Sequence, residues 1–153
     1  MILIRETPYM EMPSNTPPAH AAKPFTRVVS SFLLHQGKFL ILKRSMLVGS
    51  FQGYWSCISG YRENEEQPLE TALREISEET QKTRSSLTLL KSAGPFYSEI
   101  PTVIFESHWF LFESEDKDIC LDWEHDQINW IEPAEIKKFK TVPWLENMIK
   151  ILT

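Results

Sequence analysis

The chain has 153 residues, 42% hydrophobic and 24% charged, with 16 Lys and Arg against 21 Asp and Glu for a formal net charge of −5. That length suits one domain with a single core. The acidic balance excludes a general nucleic-acid coat, which needs surplus cations to neutralise phosphates. A small phosphorylated ligand stays admissible, because a bound divalent metal supplies positive charge. Apolar runs are a few residues long, far short of the roughly 20 that span a bilayer, so no membrane association is expected. The segment 1–4 before Arg5 and Glu6 is too short for a signal-peptide core. Cys57 and Cys120 make no CxxC pair, and the expectation is reduced thiols in a cytoplasmic setting.

In chain order, residues 1–24 hold five of the ten prolines. Proline fixes φ and removes a donor, so an extended arm is expected there, with 1–4 the one segment fit to pair as a strand. The folded domain is expected over 25–153. Apolar, β-branched runs at 27–34 and 38–43 flank Gln36-Gly37 and predict a β-hairpin. Gly49 and Gly53 mark a loop over 47–54, and 55–59 reads as a short strand. The spacing of Leu69, Ala72, Leu73 and Ile76 predicts an amphipathic helix over 68–81, with Pro68 at its first position. Strands are predicted at 87–90, 102–113 and 128–131. Pro133 opens a helix through 139, and Pro143 another through 151. Trp109 and Trp130 are expected in the core, His125 at the surface, and Trp123 or Trp144 at a pocket rim. Strands and helices mix without regular βαβ alternation, so the fold class is α+β, a mixed sheet between helices.

The 68–81 helix carries Glu75, Glu78 and Glu79 at i, i+3 and i+4, within an arc of about 100°. Three carboxylates on one ridge repel one another, and a hard cation such as Mg²⁺ or Mn²⁺ offsets that repulsion. A solvated acidic face is the ordinary explanation of such a cluster, but the surrounding pattern displaces it. Small Ser59 and Gly60 allow a tight loop whose carbonyls can approach a metal. Arg74 is placed to hold Glu78 or Glu66 by charge-assisted hydrogen bonds.

Gly60, Glu66, Arg74, Glu75, Ile76, Glu78 and Glu79 stand in the register of a known motif, and the stretch 60–82 resembles the Nudix box, G-x5-E-x7-R-E-U-x-E-E-x-G-U with U aliphatic. The resemblance extends over roughly 25–152. It departs at Gln81 and Lys82, where the box has Gly and an aliphatic residue, and at Ile58-Ser59-Gly60, where Pro-Gly-Gly is common. A glycine at the box end would act as a left-handed helix cap, so Gln81 is expected to weaken that cap or shift the helix end.

The resemblance implies a Nudix-like α/β/α sandwich. It implies hydrolysis, by water and with Mg²⁺ or Mn²⁺, of a nucleoside diphosphate linked to another moiety. On the matching positions it makes Glu75, Glu78, Glu79 and the carbonyl of Ser59 metal ligands, with Gly60, Glu66 and Arg74 supporting the loop–helix geometry. The general base is a box glutamate, Glu78 or Glu79, or one from a distant loop, for which Glu124 and Asp126 are the candidates. Arg27, Lys43 and Arg44 are candidates to meet phosphates. Tyr54, with Phe25, Phe51 and Trp55, is a candidate to stack on a base. The partner is then a small-molecule nucleotide, with a homodimer an open option. Two alternatives accompany this reading. A nucleotide-binding domain without turnover is suggested by Ser59, Gln81 and Lys82. An isomerase of isoprenoid diphosphates would need a catalytic cysteine, and Cys57 lies three residues before Gly60.

The charge is unevenly spread. Residues 60–79 hold seven acids against two bases, and 113–126 seven acids against one, while the remainder carries thirteen bases against seven acids. An acidic metal-binding block beside a basic remainder is the division that a metal-dependent phosphohydrolase needs.

Overall fold

The computed structural model describes residues 14–18 and 23–153. Strands β1 (Phe25–His35) and β2 (Lys38–Arg44) join through Gln36 and Gly37, which both take positive φ, 48° and 80°. That pair of values is what a two-residue type I′ turn requires, and its twist matches the flanking strands. The expected strand at 55–59 is divided in two: β3 (Trp55–Ser56) pairs with β2, and β4 (Ile58–Tyr61) pairs with β1. The chain changes partner at Cys57, which puts Ser59 opposite Ser30 and Gly60 opposite Val29. Helix α1 (Pro68–Thr80) follows.

The strand expected at 87–90 is far longer. β5 (Leu87–Ile100) runs antiparallel to β6 (Val103–Ser114), and register shifts at Leu89/Lys91 and Ala93/Phe96 carry it past Gly94 and Pro95, where the composition reads as a break. β6 pairs in parallel with β1 along nearly its whole length, and β7 (His125–Ile131) closes the far side on β2. The helix expected after Pro133 is a single 3₁₀ segment, Pro133–Lys138. The last helix, α2 (Leu145–Leu152), starts after Trp144, which stands at φ 68° and ψ 0°.

Each face of this mixed sheet buries one helix layer. Val29, Leu33, Leu40 and Ile58 pack on Ala72 and Ile76 of α1. Phe32, Phe39, Ile41 and Trp109 pack on Leu145, Met148, Ile149 and Leu152 of α2. An eight-residue helix is not stable alone in water, so α2 owes its existence to that i, i+3, i+4, i+7 apolar stripe. Trp109 is in the core as expected, stacked on Phe96 at 4.2 Å, whereas Trp130 is only half buried.

Within the described part of the expected arm, Ser14 pairs with the free edge of β5. Its N–H donates to the Tyr97 carbonyl at 2.9 Å and its carbonyl accepts from Tyr97 at 2.6 Å. The strand expected at 1–4 lies outside the described residues. Among those described, no helix is long and apolar enough to cross a membrane.

Candidate active site

The turn from β4 into α1 is built around Arg74. Its Nε and Nη2 donate to the two carboxylate oxygens of Glu66 at 2.9 and 3.0 Å, and Nη2 also donates to the Tyr61 carbonyl at 2.9 Å. Glu66 further accepts from the Glu63 N–H at 2.9 Å and the Thr71 hydroxyl at 3.2 Å. Hydrogen bonds from Arg74 hold the Glu66 carboxyl down to about 2. Nη1 reaches across to Glu75 at 2.9 Å and to Glu78 at 3.3 Å.

Glu75 is buried against the backbone of Gly60. A Cβ added there would stand 1.9 Å from the Glu75 carboxyl carbon, so only glycine leaves that carboxylate its place. One turn on, Glu79 is 2% exposed, and its Oε2 is shut from solvent with no hydrogen-bond partner. Burial first, then the charges of Glu75, Glu124 and Asp122, push its carboxyl well above the usual range. Burial also raises Glu75, and Glu78 adds to that, against the lowering pull of Arg74. Glu78 is exposed on the outer side of the helix.

Glu79 lines a cleft between the sheet and the start of α2. Its lining includes Ser30, Ser59 and Ser107, with the Ser30 and Ser59 hydroxyls 2.9 Å apart. Glu79, Glu124, His125 and Arg44 line it too, together with the aromatic side chains of Phe51, Phe105, Trp109 and Trp144.

A family model described as NUDIX domain matches residues 24–152. The chain belongs to the Nudix family. A search of curated proteins found no match. Among solved structures, a MutT protein from Methanosarcina mazei Go1 is similar, with a TM-score of 0.67 and 24% identity over 86% of this chain and 95% of that one. So is a C. elegans Ap4A hydrolase, with a TM-score of 0.66 and 18% identity over 82% and 93%. The E. coli dihydroneopterin triphosphate pyrophosphohydrolase has a TM-score of 0.66 and 17% identity over 84% and 97%. At these identities the likeness carries the fold, and the family carries the enzyme class, a hydrolase.

The Nudix box and the distant loop thus meet in space. Ser59, Glu79, Glu124 and Arg44 all line the cleft, with Glu75 beside Glu79 and Glu78 on the flank. Arg44 is buried, with its Nε on the Ser50 carbonyl at 3.0 Å and the charges of Glu124 and Glu79 acting on it. Of the other expected substrate residues, Phe51 lines the cleft, whereas Arg27, Lys43, Tyr54, Phe25 and Trp55 lie outside its lining. Arg27 is exposed, 3.7 Å from Glu106. Lys43 sits in the β2 ladder opposite Trp55 and Gln127. Tyr54 packs on Phe51, with the Lys140 ammonium 4.4 Å over its ring. Asp126 is exposed.

His125 corrects its sequence reading as a surface residue. It is 4% exposed, and its Nδ1 lies 3.6 Å from Glu79 Oε1. The cause is a register slip in β7: Lys43 faces Gln127 but Arg44 faces His125, so Asp126 is left over and exposed while His125 turns inward. No local signal in the sequence announces that bulge. The aromatic lining is partly legible in the sequence, with Phe51 a stacking candidate and Trp144 a rim candidate, whereas Phe105 and Trp109 come from segments far apart in the chain.

The family's reaction uses a divalent cation, and the residues present fit one. Glu79 offers a buried oxygen without a partner, Gly60 leaves room for Glu75, and the donors are carboxylates, which suit hard cations. Among the described residues no three His, Cys, Asp or Glu side chains are already gathered around one point, and Arg74 holds both Glu75 and Glu78.

Proposed function

We propose that the chain is a divalent-metal-dependent pyrophosphohydrolase whose substrate is a nucleoside diphosphate linked to another moiety. The observation that carries this reading is the buried carboxylate of Glu79 beside Glu75, one of whose oxygens has no hydrogen-bond partner, on a cleft also lined by aromatic side chains. Glu75, Glu78, Glu79 and the Ser59 carbonyl would hold the cation. When bound, it supplies neutralisation of the crowded phosphate charge and activation of water.

The chain's own residues do the rest. Gly60 gives Glu75 its position, and Arg74 with Glu66 fixes the loop against the helix. Glu124, which lines the same cleft as Glu79, would take a proton from the attacking water; Glu78 and Glu79 are the other candidates for that proton. Arg44 brings positive charge to the same cleft. The aromatic lining receives a planar ring, with Trp144 and Phe105 as stacking faces; such a contact is worth about 1–3 kcal/mol per base. The hydrolase domain is taken as 25–153, preceded by the arm 1–24. The setting is taken as cytoplasmic, with Cys57 buried and Cys120 exposed as free thiols.

The isomerase alternative needs a functional cysteine, and burial pushes the Cys57 thiol up to about 11, which keeps it from acting as a thiolate. The test is incubation with Mg²⁺ or Mn²⁺ and a panel of nucleoside triphosphates, dinucleoside polyphosphates, ADP-ribose and capped RNA. Release of a nucleotide product from one class supports the proposal. Tight binding without turnover across the panel would favour the nucleotide-binding alternative.

A further inference from the structure

His125 stands among the box carboxylates without any role in the reading above. Its Nδ1 is 3.6 Å from Glu79 Oε1 and 3.7 Å from Asp122 Oδ1, and neither contact is a hydrogen bond. Nδ1 is shut from solvent with no hydrogen-bond partner, and so is Glu79 Oε2. Both side chains are about 2% exposed. An orphaned polar atom in a native interior is rare and costly, and two on neighbouring side chains point to a bound group that both would meet. A water would answer the hydrogen bonding but not the charge, because Glu75, Asp122 and Glu124 all press on Glu79. A cation answers both.

The backbone supports the same reading. His125 is the first residue of β7 and faces Arg44 through the register slip, so its position is set by the sheet and not by a loose loop. Adjacent ligands of an octahedral cation stand about 3 Å apart. The 3.6 Å between His125 Nδ1 and Glu79 Oε1 therefore closes with a movement of about half an ångström, well within one side-chain adjustment.

We propose that His125 is a ligand of the catalytic cation through Nδ1, which makes this a mixed oxygen–nitrogen site. The proposal rests on the metal-dependent reading above. Its consequence is metal preference: a nitrogen ligand favours transition metals over Mg²⁺, least for Mn²⁺ and more for Co²⁺, whereas all-carboxylate sites suit Mg²⁺. This chain then binds Mn²⁺ or Co²⁺ more tightly, relative to Mg²⁺, than carboxylates alone would dictate.

The test reads the metal and not turnover. Pulsed electron paramagnetic resonance on the Mn²⁺-loaded full chain detects a directly coordinated imidazole ¹⁴N. The proposal predicts that coupling in the wild type. It predicts its loss in His125→Gln, and its retention in His35→Gln and His108→Gln, both outside the cleft lining. Calorimetric titration should show Mn²⁺ binding weakened about tenfold or more in His125→Gln, with Mg²⁺ binding much less affected. If His125→Gln does not fold, His125→Asn and the wild-type spectrum decide. Mn²⁺ binding that is abolished by Glu79→Gln yet shows no imidazole coupling overturns the proposal and leaves the metal-dependent reading standing. A wild type that binds neither metal overturns both.

Discussion

The guanidinium of Arg74 clasps both carboxylate oxygens of Glu66, at 2.9 and 3.0 Å, across eight residues that include the start of α1. This pair joins the loop after β4 to the helix that carries the acidic ridge. It also has a defined pH signature. The folded Glu66 carboxyl sits at about 2, below its ordinary 4.5. A depressed folded value means stability that is fully present above about 4.5 and lost as pH falls from there toward 2. Glu66→Gln should therefore cost about 1–2 kcal/mol at neutral pH. The gap between variant and wild type should narrow below pH 4.5, as read by denaturant unfolding at several pH values.

Gly60→Ala separates position from fold. The added methyl meets the end of a flexible Glu75 side chain and not backbone, so the protein should stay folded with a melting temperature within a few degrees. Because Glu75 must leave its place, Mn²⁺ affinity and turnover should both fall at least tenfold. Parallel calorimetry and thermal melts check this, and an unchanged metal affinity would show that Glu75 does not need its present position.

The end of α1 departs from the family pattern and stores correctable strain. Gln81 takes φ 61° where a glycine would be unstrained, and its N–H still closes the helix on the Ser77 carbonyl. Left-handed backbone costs an ordinary residue about 1–2 kcal/mol, partly offset by glycine's larger unfolded entropy. Gln81→Gly should stabilise the protein by about 0.5–1 kcal/mol without changing turnover. The neighbouring departure is not correctable in the same way, because Lys82 is buried and paired with Asp116. Lys82→Leu removes that partner and should gain little.

Trp144 tests the aromatic lining of the cleft. Half buried at the head of α2, it lines the same cleft as Glu79. Trp144→Ala should raise KM at least tenfold for the preferred substrate, while kcat falls less, since stacking holds ground state and transition state alike. A loss confined to kcat would remove Trp144 from ring binding.

Local patterns carried much of this in the sequence. The hairpin was legible in Gln36-Gly37 between two apolar runs, α1 in the recurrence of Leu69, Ala72, Leu73 and Ile76, and the acidic ridge of α1 in the spacing from Gly60 to Glu79. What was not legible depended on non-local pairing. The division of 55–59 between two partners, the run of β5 past Gly94-Pro95, and the slip that turns His125 inward are all set by neighbouring strands. The Pro133 segment has a good helical start but stays 3₁₀, ending at Phe139 in extended backbone. Of the residues expected to meet substrate, Arg44 and Phe51 line the cleft, whereas Arg27, near Glu106, and Tyr54, under Lys140, lie outside its lining.

The central claim is hydrolysis by a cation held at the Glu75–Glu79 ridge. The most direct measurement is the rate of product release from the best substrate of the panel, with and without Mg²⁺ or Mn²⁺, for wild type and Glu79→Gln side by side in ¹⁸O-labelled water. The account predicts turnover only with metal, one labelled oxygen on a product phosphate, and near-background rates in a Glu79→Gln variant that remains folded. Metal-independent turnover, or equal rates in the two proteins, would contradict it.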